Sequence, residues 1–177
     1  MKLILPNHRI PKSDIHVFIN QVYSNDISIR ELFANIKLDE RERVLNALWI
    51  LREISPKYGS IILSYFENLI KLLEYFREDE AIIRNVISIF QNLEFNNPND
   101  GIVLEYAFKY LQENRWAIAV KVFSMTVAFN ICKKFPELLT DLKLLIEDNL
   151  KLFGPESPAI RSRGNKLLKT ITRHLHK

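Results

Sequence analysis

Residues 39–93 read DERERVLNALWILREISPKYGSIILSYFENLIKLLEYFREDEAIIRNVISIFQNL. In this stretch Val44, Leu45, Leu48, Leu51 and Ile54 recur at steps of three and four. That spacing places them on one broad face of a helix. Asp39 and Glu42 stand at capping-box spacing, with Asp39 as the expected cap. Ser55-Pro56 is expected to end the helix, because proline has no N–H to continue the ladder. A partner helix is expected over residues 60–76, with Ile62, Phe66, Leu69, Ile70, Leu72 and Leu73 apolar. Glu78-Asp79-Glu80 then opens a third helix, where carboxylates meet the positive helix end. Its apolar members are Ile82, Ile83, Val86, Ile87, Phe90 and Leu93.

The same pattern extends in both directions. Upstream, Pro11 closes a short leader over residues 1–12, and Ser13 reads as the N-cap of a helix carrying Ile15, Phe18, Ile19 and Val22. A short helix is expected over 28–36. Downstream, the run Asn96-Asn97-Pro98-Asn99-Asp100-Gly101 is the strongest turn signal in the chain. Helices are expected over 102–112 and 115–134. Pro136 opens another in its first turn, carrying Leu138, Leu139, Leu142, Leu145 and Ile146. Phe153-Gly154-Pro155 breaks it, and Ser157-Pro158 starts the last helix, with Ile160, Leu167, Leu168, Ile171 and Leu175.

Read as pairs, the first helices begin near residues 40, 80, 115 and 157, a spacing of about 35–42 residues that lies close to the HEAT and armadillo range. Shifting the chain by 77 positions lays Ile54 on Ile131, Lys57 on Lys134, Tyr58 on Phe135, Ile61-Ile62 on Leu138-Leu139 and Ile83-Arg84 on Ile160-Arg161. One hairpin cannot bury its apolar face alone, whereas stacked hairpins can. The expected fold is therefore all-α, a right-handed α-α superhelix of HEAT-like hairpins. It is expected as a single domain over 1–177, with a basic capping helix at about 157–176.

Composition agrees. Of 177 residues, 47% are apolar and 26% charged, the mix of a globular chain rather than a disordered one. Only 4 glycines occur, which leans helical. The lone cysteine, Cys132, excludes an internal disulfide, lies in an apolar run and makes a reducing cytoplasm the default. Met1-Lys2-Leu3-Ile4-Leu5 is too short for a signal peptide, and no uninterrupted apolar window of about 18 residues exists to span a membrane. The net charge of +4 is uneven: basic residues number 9 against 7 acidic over 1–60, 5 against 9 over 61–120, and 11 against 5 over 121–177.

Three segments carry a family resemblance. Ala119-Val120-Lys121-Val122-Phe123-Ser124-Met125, Cys132-Lys133-Lys134-Phe135-Pro136-Glu137-Leu138 and Ser162-Arg163-Gly164-Asn165-Lys166-Leu167-Leu168-Lys169 resemble the C-terminal part of short bacterial HEAT-like (armadillo-type) repeat proteins. The resemblance is best over residues 115–173. It implies a helical-repeat fold and brings no site. Proteins of this look sometimes carry an adenylosuccinate lyase label. Lyases of that superfamily are much longer and bring a Ser-containing, Gly-rich catalytic loop that nothing here matches.

The search for chemistry finds no catalytic or metal-binding constellation and implies no cofactor. Histidines His8 and His16 lie near one terminus, His174 and His176 near the other, and His174-x-His176 does not converge on one metal. Walker, GxGxxG, HExxH and GxSxG motifs are missing. The carboxylates of 39–42 and 78–80 are explained by helix starts. The strongest feature outside the expected core is the last helix. Arg161, Lys169, Arg173 and Lys177 stand at i, i+4-related positions, flanked by Arg163 and Lys166, and no acid follows Glu156. Such a row suits phosphates, or the wet outer face of a terminal cap. Arg161, Arg163, Lys166, Lys169 and Arg173 are the binding residues this reading selects. Trp49 and Trp116 read either as inter-repeat packing or as exposed anchors. Tyr106, Lys109 and Tyr110 fit a groove or a core edge.

The expected function is a non-enzymatic scaffold for an unidentified protein partner. The alternative is nucleic-acid binding, since HEAT-like folds include bacterial DNA glycosylases that cradle DNA on a basic concave face. Those use a concave Asp flanked by Trp residues, a trio that cannot be placed here.

Overall fold

The computed structural model describes residues 3–25, 27–96 and 98–175; their regular structure is all helical, with no strand among them. The helices are α1 (Lys12–Tyr23), α2 (Ile29–Ala34), α3 (Arg41–Ile62), α4 (Phe66–Tyr75), α5 (Glu80–Phe90), α6 (Asp100–Gln112), α7 (Ile118–Cys132), α8 (Pro136–Phe153) and α9 (Pro158–Leu175), with a 3-10 turn at Leu63–Tyr65. They form two compact units, Met1–Glu94 and Phe95–Lys177.

In the first unit α3 and α5 lie side by side; α1 and α2 pack on α3, and α4 packs on α5. The hairpins are thus α2–α3 and α4–α5. This phase differs by one helix from the pairing expected from the sequence, in which the α3 segment goes with the helix after it. The second unit repeats the arrangement with hairpins α6–α7 and α8–α9, α7 beside α9 and α6 beside α8. The second helices of the four hairpins start at Arg41, Glu80, Ile118 and Pro158, roughly 40 residues apart. Hydrogen bonds repeat that interval. Arg41 to Asp79, Asn92 to Ser55, Lys134 to Asn96, Asn149 to Leu111 and Arg163 to Thr126 each join residues 37 or 38 positions apart.

The reason for the phase is at Pro56. It does not end α3, because the carbonyl its missing N–H would have bonded, that of Arg52, instead accepts the Ser55 hydroxyl at 2.8 Å. The helix therefore passes the proline and breaks at Tyr58 (φ −112°, ψ 19°). The next residue is Gly59, where a Cβ would lie 2.6 Å from the Asn92 carbonyl oxygen. Two caps also differ from expectation. Helix α1 begins at Lys12 after Pro11, so Ser13 does not cap it. Helix α3 starts one residue later than the Asp39 cap implies, with Glu40 at the cap position making no side-chain cap bond and Glu42 paired with Arg41. Asp79 caps α5 as expected, accepting from Ala81 and Ile82. At α2, Ser28 and Glu31 complete a capping box.

Core formation follows the apolar spacing. In α5, Ile82, Ile83, Val86, Ile87, Ile89 and Phe90 are all fully buried, because α3 and α4 cover different sides of it. Each such side chain contributes about 1.5–3 kcal/mol. Cys132 is buried, as its apolar setting suggested. The leader is also part of the first unit, with Leu5 and Ile10 in the core. Two buried asparagines hold it. Asn35 accepts from the Leu5 amide at 2.7 Å and donates to the Leu3 carbonyl at 3.1 Å. Asn46 donates to the Pro6 and His8 carbonyls at 3.0 and 2.8 Å and accepts from the Ile10 amide at 3.2 Å.

In the second unit two cations close helix C-termini. Lys121, fully buried on α7, donates to the carbonyls of Tyr110, Leu111 and Glu113 at 3.1, 3.2 and 2.8 Å, at the end of α6. Arg161, near the start of α9, donates to the carbonyls of Gly154 and Pro155 at the end of α8. The negative helix end and the orphan carbonyls both favour a cation at such places.

Candidate functional site

The first unit carries a groove of about 390 Å³ over α3 and α5. Helical periodicity builds it. Arg41, Leu45, Trp49 and Arg52 follow one face of α3, and Ala81, Arg84 and Asn85 follow the facing side of α5. The leader adds Arg9, so four arginines line the groove beside one carboxylate, Glu42.

The four guanidinium groups are not equivalent. Arg41 bonds Asp79 at 2.5 Å and Glu42 at 2.5 Å, which holds its pKa above the ordinary arginine value. Arg52 donates to the Asn85 Oδ1 at 3.1 Å and to Glu53 at 2.6 Å. Arg9 and Arg84 are exposed and have no ion-pair or hydrogen-bond partner among the described residues. Arg9 is held in place from both sides, since its neighbours His8 and Ile10 both bond Asn46. Asn46 and Asn85 are buried, and each occupies the same position in its repeat helix. Trp49 is half-buried, and with Arg52 it also lines an adjoining hollow with Lys12, His16 and Glu53.

Chemically, the groove offers two free forked donors, an aromatic face and a short apolar floor. Its lining carries no serine, cysteine or histidine, and its one carboxylate is tied to Arg41. Such a lining is chemically complementary to an anionic group next to an apolar one.

The five cations selected from the sequence all lie on α9, and their contacts differ. Arg161 closes α8, and Arg163 donates to the Thr126 hydroxyl. Lys166, Lys169 and Arg173 are exposed and have no partner among the described residues. At ~100° per residue they share a sector about 60° wide. His176 and Lys177, with Met1, Lys2, Asp26 and Asn97, lie outside the described residues.

The remaining candidates resolve as follows. Trp116 is buried, donates to Glu113 at 3.0 Å and meets Tyr110 edge-on. Tyr110 is buried too, and Lys109 reaches Glu113, so this cluster is a core edge. His8, His16 and His174 are exposed. No group of three or more His, Cys, Asp or Glu able to hold a metal occurs among the described residues. Burial pushes the Cys132 thiol up to about 12. No helix of the described residues is long and apolar enough to cross a membrane.

The arginine groove was missed from sequence because its members come from residues 9, 41–52 and 81–85. The available signal was the repeat itself, which superposes Asn46 on Asn85 and Leu45 on Arg84.

A family model described as a HEAT repeat domain matches residues 5–171. No curated protein and no solved structure matches the chain.

Proposed function

We propose, from the premise that this chain belongs to the HEAT repeat domain family, that it is a binding scaffold that holds a protein partner on the α3–α5 face and carries out no reaction of its own. One observation carries this reading. Arg9 of the leader and Arg84 of α5, neither with a partner among the described residues, line one groove with the half-buried Trp49 of α3. Arginine and tryptophan are the residues on which interface energy concentrates. The buried Cys132 suits a reducing compartment, and we place the protein in the cytoplasm.

The test is site-specific photocrosslinking in the native host. A benzophenone amino acid replaces Ala81 in the groove or, as a control, Lys71 on the exposed side of α4. We expect a discrete, saturable protein adduct from position 81 that purified unlabelled protein competes away. Equal adducts from both positions, or none that saturates, would count against the scaffold.

A second reading, binding to a phosphate backbone, is supported by exposed Lys166, Lys169 and Arg173. It is the weaker one, because Arg161 and Arg163 are engaged inside the fold. With about three phosphate contacts, affinity for a duplex falls by only about the 2.7th power of salt concentration. Fluorescence anisotropy with a short DNA duplex separates the two readings. Binding that survives charge reversal at 166, 169 and 173 would remove this stripe as the site.

A further inference from the structure

We infer that the α3–α5 groove recognises a peptide segment in which acidic side chains alternate with apolar ones. The inference rests on the scaffold reading above and specifies its partner.

Charge complementarity sets the sign. Arg41 and Arg52 are neutralised by Asp79, Glu42 and Glu53, whereas Arg9 and Arg84 have no counter-charge among the described residues. Four arginines against these three carboxylates leave a net charge of +1, with Arg9 and Arg84 the unpaired forks. Guanidinium forks bind carboxylates through paired N–H donors, so one carboxylate balances the charge and either free fork can receive it. Trp49 and Leu45 line the same groove and offer an apolar surface to the intervening residue. The volume of about 390 Å³ is at the lower end for ligand sites, which run from roughly 300 to 1,000 Å³, and admits a few side chains.

The carboxylates bonded to the groove arginines, Glu42, Asp79 and Glu53, oppose a continuous phosphate tract, which carries a charge at every step. A peptide whose acids alternate with apolar residues presents fewer like charges to them and is favoured on that count.

Preorganisation supports the assignment. Asn46 fixes the backbone on both sides of Arg9, and Asn85 fixes Arg52, so the groove is formed before a ligand arrives. Less ordering cost then opposes binding.

The test uses the full chain and three fluorescein-labelled probes: a peptide of about twelve residues alternating Glu and Leu, its Gln–Leu counterpart, and an oligothymidine of similar length. Anisotropy is read for the native protein and for the Arg9→Gln/Arg84→Gln double variant. Neither arginine bonds a described residue, so the variant keeps its fold, checked by circular dichroism. The expected result is saturable binding of the Glu–Leu peptide, weaker at least tenfold for the Gln–Leu peptide and at least tenfold for the double variant. Equal affinity for the two peptides, binding indifferent to the double substitution, no binding at millimolar peptide, or tighter binding of oligothymidine each overturns the inference. If position 81 still crosslinks a saturable partner while the Glu–Leu peptide fails, the scaffold stands and only the acidic ligand is wrong. If no partner crosslinks, it is the scaffold that fails.

Discussion

Arg52 Nη1 donates to the Asn85 Oδ1 at 3.1 Å, tying α3 to α5 beneath the groove. The Asn85 amide nitrogen is bonded in turn to the Ala81 carbonyl at 2.8 Å, so the acceptor cannot rotate away. Replacing Asn85 by Leu removes the guanidinium's acceptor and leaves Arg52 to solvent and Glu53. We expect a loss of about 1–2 kcal/mol in urea unfolding. Partner binding at the groove should weaken as well, whereas the exposed Glu53→Gln change should move stability by less than about 0.5 kcal/mol.

Asn46 makes three hydrogen bonds to the leader. Changing Asn46 to Ala leaves the buried Ile10 amide unpaired, at a cost of about 2–3 kcal/mol. Hydrogen exchange should show the Leu5 and Ile10 amides losing protection before those of α5. Uniform loss across the unit would show that the leader is not separately anchored by this residue.

Ser55 and Gly59 together set where α3 bends. Ser55→Ala removes the hydroxyl donor from the Arg52 carbonyl and leaves the Asn92 side-chain amide with only the Ser88 carbonyl, and about 1–3 kcal/mol of destabilisation is expected. Gly59→Ala drives a methyl group against the Asn92 carbonyl and should cost a similar amount, about 1–3 kcal/mol. Thermal melts of both variants check this. A Gly59→Ala protein as stable as the native one would mean that α3 and Asn92 separate freely.

Lys121 links stability to pH with a definite sign. Burial lowers its pKa from 10.5 to about 8, opposed by the Glu113 carboxylate. Between those two values the unfolded chain holds a proton that the folded chain has released. Stability from this group therefore rises with pH across the window from about 8 to 10.5. Lys121→Met should be less stable at pH 7, because three carbonyls lose their donor. The gap between native and variant protein should widen as pH increases from 8 towards 10. A gap that narrows would show that the charged ammonium is the favoured buried form.

Cys132 provides a probe of global unfolding. Its thiol is buried and pushed up to about 12, mainly by desolvation. Ellman's reagent at pH 8 should find almost no reactive thiol in the native protein and one per chain in denaturant. Fast labelling of the native protein would mean that α7 opens locally.

Much of the fold was legible because an amphipathic helix announces itself locally. Ile82, Ile83, Val86, Ile87 and Phe90 are apolar at helical spacing and are all buried. Proline at 136 and 158 marked helix starts correctly. Pro56 misled because its effect depends on Ser55 supplying a hydroxyl to the Arg52 carbonyl. That compensation moved the break to Tyr58 and shifted the pairing by one helix. On α9 the sequence identified the cations, but Arg161 and Arg163 find their acceptors on α8 and α7.

What the sequence determined by itself is the period: apolar spacing and turn residues specify helices of a given length at a given interval, and these are short-range properties of the backbone. Which helices pair, which arginines are neutralised and which remain free were decided only in three dimensions. A guanidinium's partner is chosen by distance in space, and Arg41 meets Asp79 while Arg84 meets no carboxylate among the described residues. The groove exists because packing α3 beside α5 brings together side chains that the chain itself keeps more than thirty residues apart.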